Sequence, residues 1–264
     1  WGISCRNSGV VHAGFNYKSG TLRAQLCVEG NKSFAKLCHE LDVPYKKIGK
    51  VVVAQKKEEI RELKKLKTQG EKNKVESLQI INSAELKKLE PNVKGIAALY
   101  SPETAITSPY IFTIALAENA LTNGVSFFLN TEAKSIAKLR NSDFRINTNN
   151  GEFTSSYVIN SAGLYSDKVA HMVGKDKYRI YPCRGEYYVL DKNASWIINH
   201  LIYPVPKPGI GGLGIHFTPT IDKNILIGPS DEYIKQKDNF SSTSKIMKML
   251  ASESQDFLPL ISSR

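Results

Sequence analysis

The chain has 264 residues, of which 41% are hydrophobic, and its formal net charge is +11. This composition suffices for one large domain or two interleaved domains and argues against wholesale disorder. The longest apolar runs, such as residues 51–54, are strand-sized and far below the roughly 18–20 residues of a membrane span. The first residues have neither the basic start nor the apolar core of a signal peptide.

Much of the positive charge lies between Lys56 and Lys74, where lysines alternate with glutamates. Ile60, Leu63 and Leu66 recur there at helical spacing, which predicts a solvated amphipathic helix. Aromatic residues do not interleave with this run, so we expect no nucleic-acid partner. A basic surface can still attract an anionic substrate.

The four cysteines form no C-x-x-C pair, which makes a zinc site improbable and predicts no metal. Cysteine usage of this kind suits a reducing compartment. Apolar periodicity and caps predict helices over residues 21–41, 56–74, 108–123 and 244–254, with a short helix capped by Ser83. Strands are predicted at residues 50–54, 95–100, 125–129, 135–139, 144–148, 156–161, 187–190, 202–203, 213–217 and 225–227.

The segment Tyr157–Asp167 passes from a β-branched run through small residues straight into a helix pattern. Small side chains at such a turn let a bulky ligand approach the backbone, and the helix N-terminus offers free N–H groups to an anion. The alternative is a turn that only packs tightly. A second segment, Asn7–Gly14, offers small polar side chains, and its His12 lies among small residues where it can face a cavity.

A third segment places Arg184, Glu186 and Tyr188 on one face of a predicted strand. A guanidinium group binds a carboxylate through two parallel hydrogen bonds, so Arg184 is a candidate substrate anchor. The alternative is a surface pair between Arg184 and Glu186. Further along, His216 lies on an alternating strand that we expect in the same sheet as Arg184, and it can accept a hydroxyl proton near neutral pH. Gly209–Gly214 matches G-x-G-x-x-G but lacks the flanking strand and helix, which argues against dinucleotide binding there.

Together and in this order, these segments resemble the FAD-dependent oxidoreductases of the D-amino-acid oxidase superfamily. Within it, the resemblance is closest to the L-2-hydroxyglutarate dehydrogenase/oxidase group. It implies an α/β fold in which a Rossmann-like FAD-binding domain is interleaved with an antiparallel-sheet substrate domain. The implied FAD domain comprises residues 1–55 and 105–175, and the substrate domain comprises 56–104 and 176–243. Residues 244–264 form a helix and a truncated C-terminal segment.

The resemblance also implies roles for individual residues. His216 is the first candidate for the catalytic base and His12 the second. The candidate substrate-binding residues are Arg184, Tyr203, Tyr17 and Tyr188. The candidate FAD-binding residues are Asn7, Ser8, Gly9, Ala133, Ser161, Ala162 and Gly163. The family's strand–G-x-G-x-x-G–helix is expected before Trp1 and its C-terminal glycine-rich segment beyond Arg264, so the chain is interpreted as an internal fragment that holds FAD poorly on its own.

The implied reaction oxidises a 2-hydroxy dicarboxylate, L-2-hydroxyglutarate, to the 2-oxo acid. The alternatives are a glycerol-3-phosphate dehydrogenase-like enzyme, an amino-acid or amine oxidase of the same superfamily, and a non-catalytic remnant. The electron acceptor stays open between oxygen, a quinone and another carrier. The expected location is the cytoplasm or the inner face of a membrane as a peripheral protein, and the mitochondrion in a eukaryote.

Overall fold

The computed structural model describes residues 2–206 and 214–261, and these form six α-helices and fifteen strands. The helices are α1 (Leu22–Glu40), α2 (Glu59–Lys72), α3 (Ser83–Leu89), α4 (Pro109–Thr122), α5 (Ser166–His171) and α6 (Ser244–Phe257). The strands are β1 (Val10–Val11), β2 (Tyr45–Lys47), β3 (Lys50–Ala54), β4 (Gln79–Asn82), β5 (Ala97–Ser101), β6 (Ala105–Thr107), β7 (Ala133–Lys138), β8 (Phe144–Thr148), β9 (Gly151–Ser155), β10 (Cys183–Arg184), β11 (Tyr188–Leu190), β12 (Leu201–Pro204), β13 (His216–Pro219), β14 (Ile225–Gly228) and β15 (Glu232–Tyr233). Within the described ranges, no helix has the length and apolar character needed to cross a bilayer.

The chain divides into two compact units, each assembled from separate stretches of sequence. Unit 1 comprises Trp1–Asn119, Gly185–Asp231 and Ser241–Arg264, and unit 2 comprises Ala120–Arg184 and Glu232–Phe240. The domain boundaries expected from the family resemblance stay a prediction.

A seven-stranded sheet forms the centre of unit 1, in the order β11-β14-β13-β12-β3-β5-β4. Among the described strands of this sheet, β12 and β3 pair in parallel and the other neighbours are antiparallel. Every residue of β3 is buried, because the strand lies between two neighbours and carries a run of three valines. Its alternate residues join different core clusters: Val52 packs in one, and Val51 and Val53 pack in the other. The sheet therefore has an apolar layer on each face.

The helix ends of unit 1 follow from local capping. Thr21 caps α1 by accepting a hydrogen bond from the backbone N–H of Ala24 at 3.3 Å. The N-cap of α3 is Asn82, and Glu85 completes a capping box with it. The assignment of Ser83 as this cap was wrong by one residue, because Asn82 also offers a side-chain oxygen and is followed by Glu85 at the required spacing. A smaller sheet of unit 1 has the order β1-β6-β2.

Unit 2 contains an antiparallel sheet, β7-β8-β9, and the two-stranded pair β10-β15. Lys237 lies within hydrogen-bonding distance of both Asp167 carboxylate oxygens, at 2.6 and 2.7 Å, and of the Leu164 carbonyl oxygen at 2.7 Å. Because Asp167 also accepts from the backbone N–H groups of Lys168 and Ile180, this ion pair holds the start of α5 in place.

Two strands predicted in unit 2 do not form. Residues 125–129 and 156–161 belong to no strand, and the side chains of Tyr157 and Ile159 are 85% and 88% exposed. A strand is stable only when its backbone pairs with a neighbour, and no described strand pairs with these segments. Their β-branched residues favour a strand, but the strand prediction was wrong for both segments.

Candidate active site

One face of the seven-stranded sheet carries the polar residues of the candidate site. Side chains alternate between the two faces of a strand. Ile202 and Phe217 are paired across β12 and β13 and belong to one core cluster. Their neighbours Tyr203 and His216 therefore point to the opposite face, where the rings stack with a centroid distance of 3.9 Å and an interplanar angle of 12°.

His216 is held as a neutral imidazole with a defined tautomer. Its Nδ1 lies 2.8 Å from the carbonyl oxygen of Gly214. A carbonyl oxygen can only accept, so Nδ1 carries the hydrogen and Nε2 keeps its lone pair. Burial lowers the pKa of His216 to about 3, with the nearby Lys50 charge contributing in the same direction. The ring is therefore uncharged at neutral pH and can accept a proton through Nε2.

Lys50 is completely buried at the start of β3, although sequence reasoning assigned it no role. Its Nζ lies 3.1 Å from Nδ1 of His12 and 3.9 Å from the centroid of the Tyr203 ring. Burial lowers the pKa of Lys50 to about 7. The signal available in the sequence was a lysine directly before a run of valines in a strand predicted to be buried, since such a lysine cannot reach water easily.

His12 lies in the same cluster and is also held neutral. Burial, followed by the charge of Lys50, keeps its pKa well below the ordinary range of histidine. The backbone around it is anchored from two helices: Cys27 of α1 donates to the His12 carbonyl oxygen at 3.4 Å, and Asn73 beyond α2 donates to the Gly14 carbonyl oxygen at 3.0 Å.

Three tyrosines complete the cluster. Burial raises the pKa of Tyr203, and the nearby Tyr187 and Tyr17 hydroxyls add to the shift, so all three hydroxyl groups lie in one region. Tyr187 in turn hydrogen-bonds Ser8. The structure thus brings together His12, His216, Tyr203, Tyr17 and Ser8, which sequence reasoning had selected from three distant segments.

Thr218 adds a hydroxyl group to the polar residues of this sheet face. It is fully buried, and its hydroxyl makes no hydrogen bond of ordinary geometry with the described residues. A contact between its hydroxyl and that of Tyr203 opposes the rise of the Tyr203 pKa. Thr218 is therefore a buried neighbour of the Tyr203 hydroxyl.

Arg184 and Tyr188 do not join this cluster as the sequence predicted. The single strand expected over residues 184–188 is broken, because β10 ends at Arg184 and β11 begins at Tyr188. Arg184 belongs to the two-stranded β10-β15 pair and not to the sheet of His216, so the shared sheet was a wrong prediction. Its guanidinium pairs with Glu232 at 2.7 Å, whereas the buried Glu186 carboxylate accepts from the Thr243 backbone N–H at 2.6 Å.

Tyr188 lies on the face of the seven-stranded sheet opposite to Tyr203. It is paired with Ile227 and packs against the core cluster that contains Ile227 and Ile202. The substrate roles of Arg184 and Tyr188 stay predictions. The G-x-G-x-x-G match at 209–214 lies outside the described residues except for Gly214.

Similarity to known proteins assigns the family. The family profile described as DAO, FAD dependent oxidoreductase, matches residues 1–263. The chain belongs to this family. The resemblance seen in the sequence and the expectation of an FAD-dependent oxidoreductase are confirmed.

Relatives within the FAD-dependent family carry two different names. The chain is 40% identical over 261 residues to a glycerol 3-phosphate dehydrogenase of Caloramator mitchellensis, covering 96% of this chain and 53% of that protein. It is 36% identical over 250 residues to an L-2-hydroxyglutarate dehydrogenase of Indibacter alkaliphilus, covering 91% of this chain and 62% of that protein. The chain therefore spans little more than half the length of these relatives.

The fold is that of FAD-dependent oxidases. A dithionite-reduced L-α-glycerophosphate oxidase of Mycoplasma pneumoniae with FAD bound superposes with a TM-score of 0.90 at 28% identity, covering 99% of this chain and 70% of that one. A glycine oxidase of Geobacillus kaustophilus superposes with a TM-score of 0.83 at 19% identity, covering 98% and 69% of the two chains, and this similarity supports the fold alone. The predicted fold class is confirmed.

The residues present fit an FAD-dependent protein in each unit taken by itself. In unit 2, Ser161 and Ala162 are exposed, and Gly163 has a φ of +56° with nothing within 4 Å of where a Cβ would lie. This exposed small-residue backbone leaves room for a large cofactor. Ala133 lies at the start of β7 and is partly buried.

The Asn7–Gly9 segment of unit 1 shows a different use of small residues. Asn7 accepts a hydrogen bond from the Gly9 backbone N–H at 3.0 Å, which closes a local turn. A Cβ on Gly9 would lie 2.3 Å from the Thr107 carbonyl oxygen, so glycine is required there by the chain itself. The Ser8 side chain hydrogen-bonds Tyr187 and so contacts the tyrosine cluster. FAD contact by these three residues stays a prediction.

Proposed function

We propose that this chain forms the substrate-oxidising part of an FAD-dependent enzyme that converts a small anionic 2-hydroxy acid to the 2-oxo acid. L-2-hydroxyglutarate is the first candidate substrate. The observation that carries the proposal is the tautomer of His216, whose Nδ1–H donates to the Gly214 carbonyl oxygen and whose Nε2 therefore carries the lone pair. Relatives named L-2-hydroxyglutarate dehydrogenase support the choice of substrate.

The reaction divides between the cofactor and the residues of this chain. FAD, when bound, accepts the hydride from C2 of the substrate. His216 accepts the hydroxyl proton at Nε2 while the C2–O single bond becomes a double bond, so the electrons and both hydrogens are accounted for. Burial lowers the pKa of His216 to about 3, so the imidazole enters the reaction in its neutral, proton-accepting form.

The remaining members of the cluster orient the substrate and exclude water. Tyr203 stacks on the His216 ring and fixes its plane, and Tyr17 lies in the same hydroxyl cluster. Thr218 contacts Tyr203 from within the buried part of the same face. Asn7, Ser8 and Gly9 in unit 1, and Ala133, Ser161, Ala162 and Gly163 in unit 2, are the residues proposed to contact FAD.

Two cations lie near the histidines and suit an anionic substrate. Lys50 and Arg23 both lower the pKa of His12, so both positive charges are felt inside the cluster. Arg184 is proposed as a further anchor for a substrate carboxylate. Its guanidinium already pairs with Glu232, so binding a substrate carboxylate requires it to share or exchange this partner.

Glycerol 3-phosphate is the second candidate substrate. Its central carbon also bears a hydroxyl group, and a phosphate calls for more than one cation. The presence of both Lys50 and Arg23 meets that need. The 40% identical relative named glycerol 3-phosphate dehydrogenase and the similar L-α-glycerophosphate oxidase support this candidate. An amino-acid oxidase or a non-catalytic remnant has less support, because a cluster of neutral histidines beside two cations suits an anionic alcohol.

We also propose that the electrons removed from the substrate would finally go to oxygen, a quinone or another carrier. The relatives named as mitochondrial in Bos taurus and Homo sapiens support a mitochondrial location for a eukaryotic protein. Cytoplasmic or peripheral membrane placement is the proposal for a bacterial protein.

Anaerobic flavin bleaching tests the function. The protein expressed from its complete reading frame would be purified with FAD and mixed with L-2-hydroxyglutarate, D-2-hydroxyglutarate, glycerol 3-phosphate or glycine. We expect rapid bleaching by L-2-hydroxyglutarate alone. Faster bleaching by glycerol 3-phosphate would assign the second candidate, and bleaching by none of the four would reject both.

A further inference from the structure

Lys50 is a buried amine without a described carboxylate partner. Its side chain has no solvent exposure, and no described carboxylate forms an ion pair with it. Its amine instead lies over the Tyr203 ring and 3.1 Å from His12 Nδ1. A buried lysine without a carboxylate partner is costly to maintain, which indicates that its position serves the site.

The direction of the hydrogen bond between these two nitrogen atoms depends on the protonation of Lys50. An ammonium group has three donors and no acceptor, so His12 Nδ1 must accept from a protonated Lys50. The ring is neutral, and its hydrogen therefore resides on Nε2. We propose that Lys50 is a positioning residue that selects the Nε2–H tautomer of His12 and makes His12 a hydrogen-bond donor in the site.

The proposal separates the roles of the two histidines. Gly214 selects the Nδ1–H tautomer of His216, whose Nε2 therefore accepts. Lys50 selects the opposite tautomer of His12, whose Nε2 therefore donates. An alcohol oxygen both donates and accepts, so a site with one acceptor and one donor imidazole matches both functions of a substrate hydroxyl. This assignment belongs to the site of the proposed function, but the tautomer of His12 can be measured without turnover.

The protonation of Lys50 controls this selection. Burial lowers its pKa to about 7, and the Cys27 thiol opposes that shift. Above this pH the amine can accept as well as donate, so it no longer dictates the His12 tautomer. The titratable and charged groups that interact with Lys50, or with its neighbours His12 and Cys27, are His12, Cys27, Tyr203, His216 and the exposed Arg23.

Nitrogen NMR of the FAD-loaded protein tests the tautomer directly. In protein expressed from the complete reading frame and labelled selectively with ¹⁵N at histidine, His12→Gln and His216→Gln assign the signals of these two among the five histidines of the present 264 residues. At pH 6 we expect His12 to show a protonated Nε2 and an unprotonated Nδ1, with the reverse for His216. Raising the pH to 9 is expected to shift the His12 signals toward a mixture of tautomers and to leave His216 unchanged.

Two substitutions at Lys50 and one control extend the test. Lys50→Met is expected to abolish the preference of His12 for Nε2–H, and Lys50→Arg to retain it at both pH values. Lys46→Met, an exposed lysine of β2, is expected to leave both histidines unchanged. A parental His12 with its hydrogen on Nδ1 at pH 6 would overturn the proposal whether or not the variants fold. A His12 tautomer that is identical in Lys50→Met would overturn it equally.

The pH profile distinguishes positioning from a structural role. In the parental enzyme, kcat/KM is expected to decline above the free-enzyme pKa of Lys50 and then to level off, because part of the His12 population keeps Nε2–H, whereas Lys50→Arg should remove this alkaline decline. The same decline in Lys50→Arg would contradict control by Lys50. Loss of turnover with every substrate, together with the expected NMR tautomers, would reject the proposed function and leave this inference standing.

Discussion

Unit 1 buries Lys50, His216 and Thr218 against one face of a seven-stranded sheet, whereas unit 2 exposes Tyr157 and Ile159. Both arrangements depart from the usual separation of polar surface and apolar interior, and they do so in opposite directions. Buried polar groups cost free energy and indicate a site where ligand chemistry occurs. Exposed apolar side chains indicate a surface that another element or molecule covers. The two units thus require different experiments.

The largest effect is expected at the buried base of unit 1. His216→Ala should slow anaerobic flavin reduction by about 10²–10⁴-fold, because the hydroxyl proton loses its acceptor. Stopped-flow absorbance measures this rate, and substrate binding should change much less. His39→Ala removes an exposed histidine of α1 and serves as the control. Parental flavin reduction in His216→Ala, with slow reduction in His12→Ala, would exchange the roles of the two histidines.

Hydrogen exchange compares the backbones of the two units. In the 264-residue chain, backbone amides of residues 157–161 should exchange at least about 10³-fold faster than the paired amides of β3 and β12, because they lack strand partners. Mass spectrometry of peptic fragments measures both regions in one sample. Equal protection in residues 157–161 and in β3 would show that the exposed segment forms a stable element.

Arg184 tests whether unit 2 contributes to substrate recognition. Arg184→Lys keeps the charge and loses the bidentate fork, so kcat/KM should fall by about 10- to 1,000-fold if a substrate carboxylate binds there. Lys235→Arg, at another basic residue of unit 2, serves as a control that changes the cation without touching the proposed anchor. Unchanged kinetics in Arg184→Lys would confine the substrate site to other residues.

The smallest expected effect is on the free energy of unfolding, which the burial of Lys50 lowers. Because its pKa is lowered from 10.5 to about 7, the unfolded state binds more protons between these pH values, and stability should rise with pH across that window. Lys50→Met should remove this dependence and raise the free energy of unfolding at pH 6 by about 1–3 kcal/mol, offset partly by imperfect packing. Urea unfolding at pH 6, 8 and 10 measures it. An equal loss of stability at all three pH values would indicate a packing role only.

Sequence reasoning located the elements whose ends carry clear local signals. The strands β3 and β8 and the helix α4 lie within a residue of their predicted ends, because buried runs, turn residues and Pro109 mark them clearly. Residues 125–129 and 156–161 have equally strong strand propensity and form none. Propensity is a local property, whereas a strand also depends on a neighbour that the local sequence does not specify.

The candidate site was predicted in part for a similar reason. His12, Tyr203 and His216 were found because each lies in a recognisable motif. Lys50 was missed because its neighbours in sequence are valines, and its partners are brought to it only by the pairing of β3 with β12. Arg184 was placed on the wrong sheet because period-two alternation does not reveal that the strand stops at this residue.

The parallel pairing of β3 and β12 also determines the order in which the two units can fold during synthesis. Lys50 and Tyr203 are about 150 residues apart in the chain, and most of unit 2 is encoded between them. Long-range parallel pairing forms late in folding, because the loop entropy must be overcome before the contact is made. On the ribosome, the larger segment of unit 2 therefore emerges with its apolar side chains exposed before the sheet of unit 1 can close. A nascent chain released within this interval would have no histidine cluster and a surface that chaperones bind.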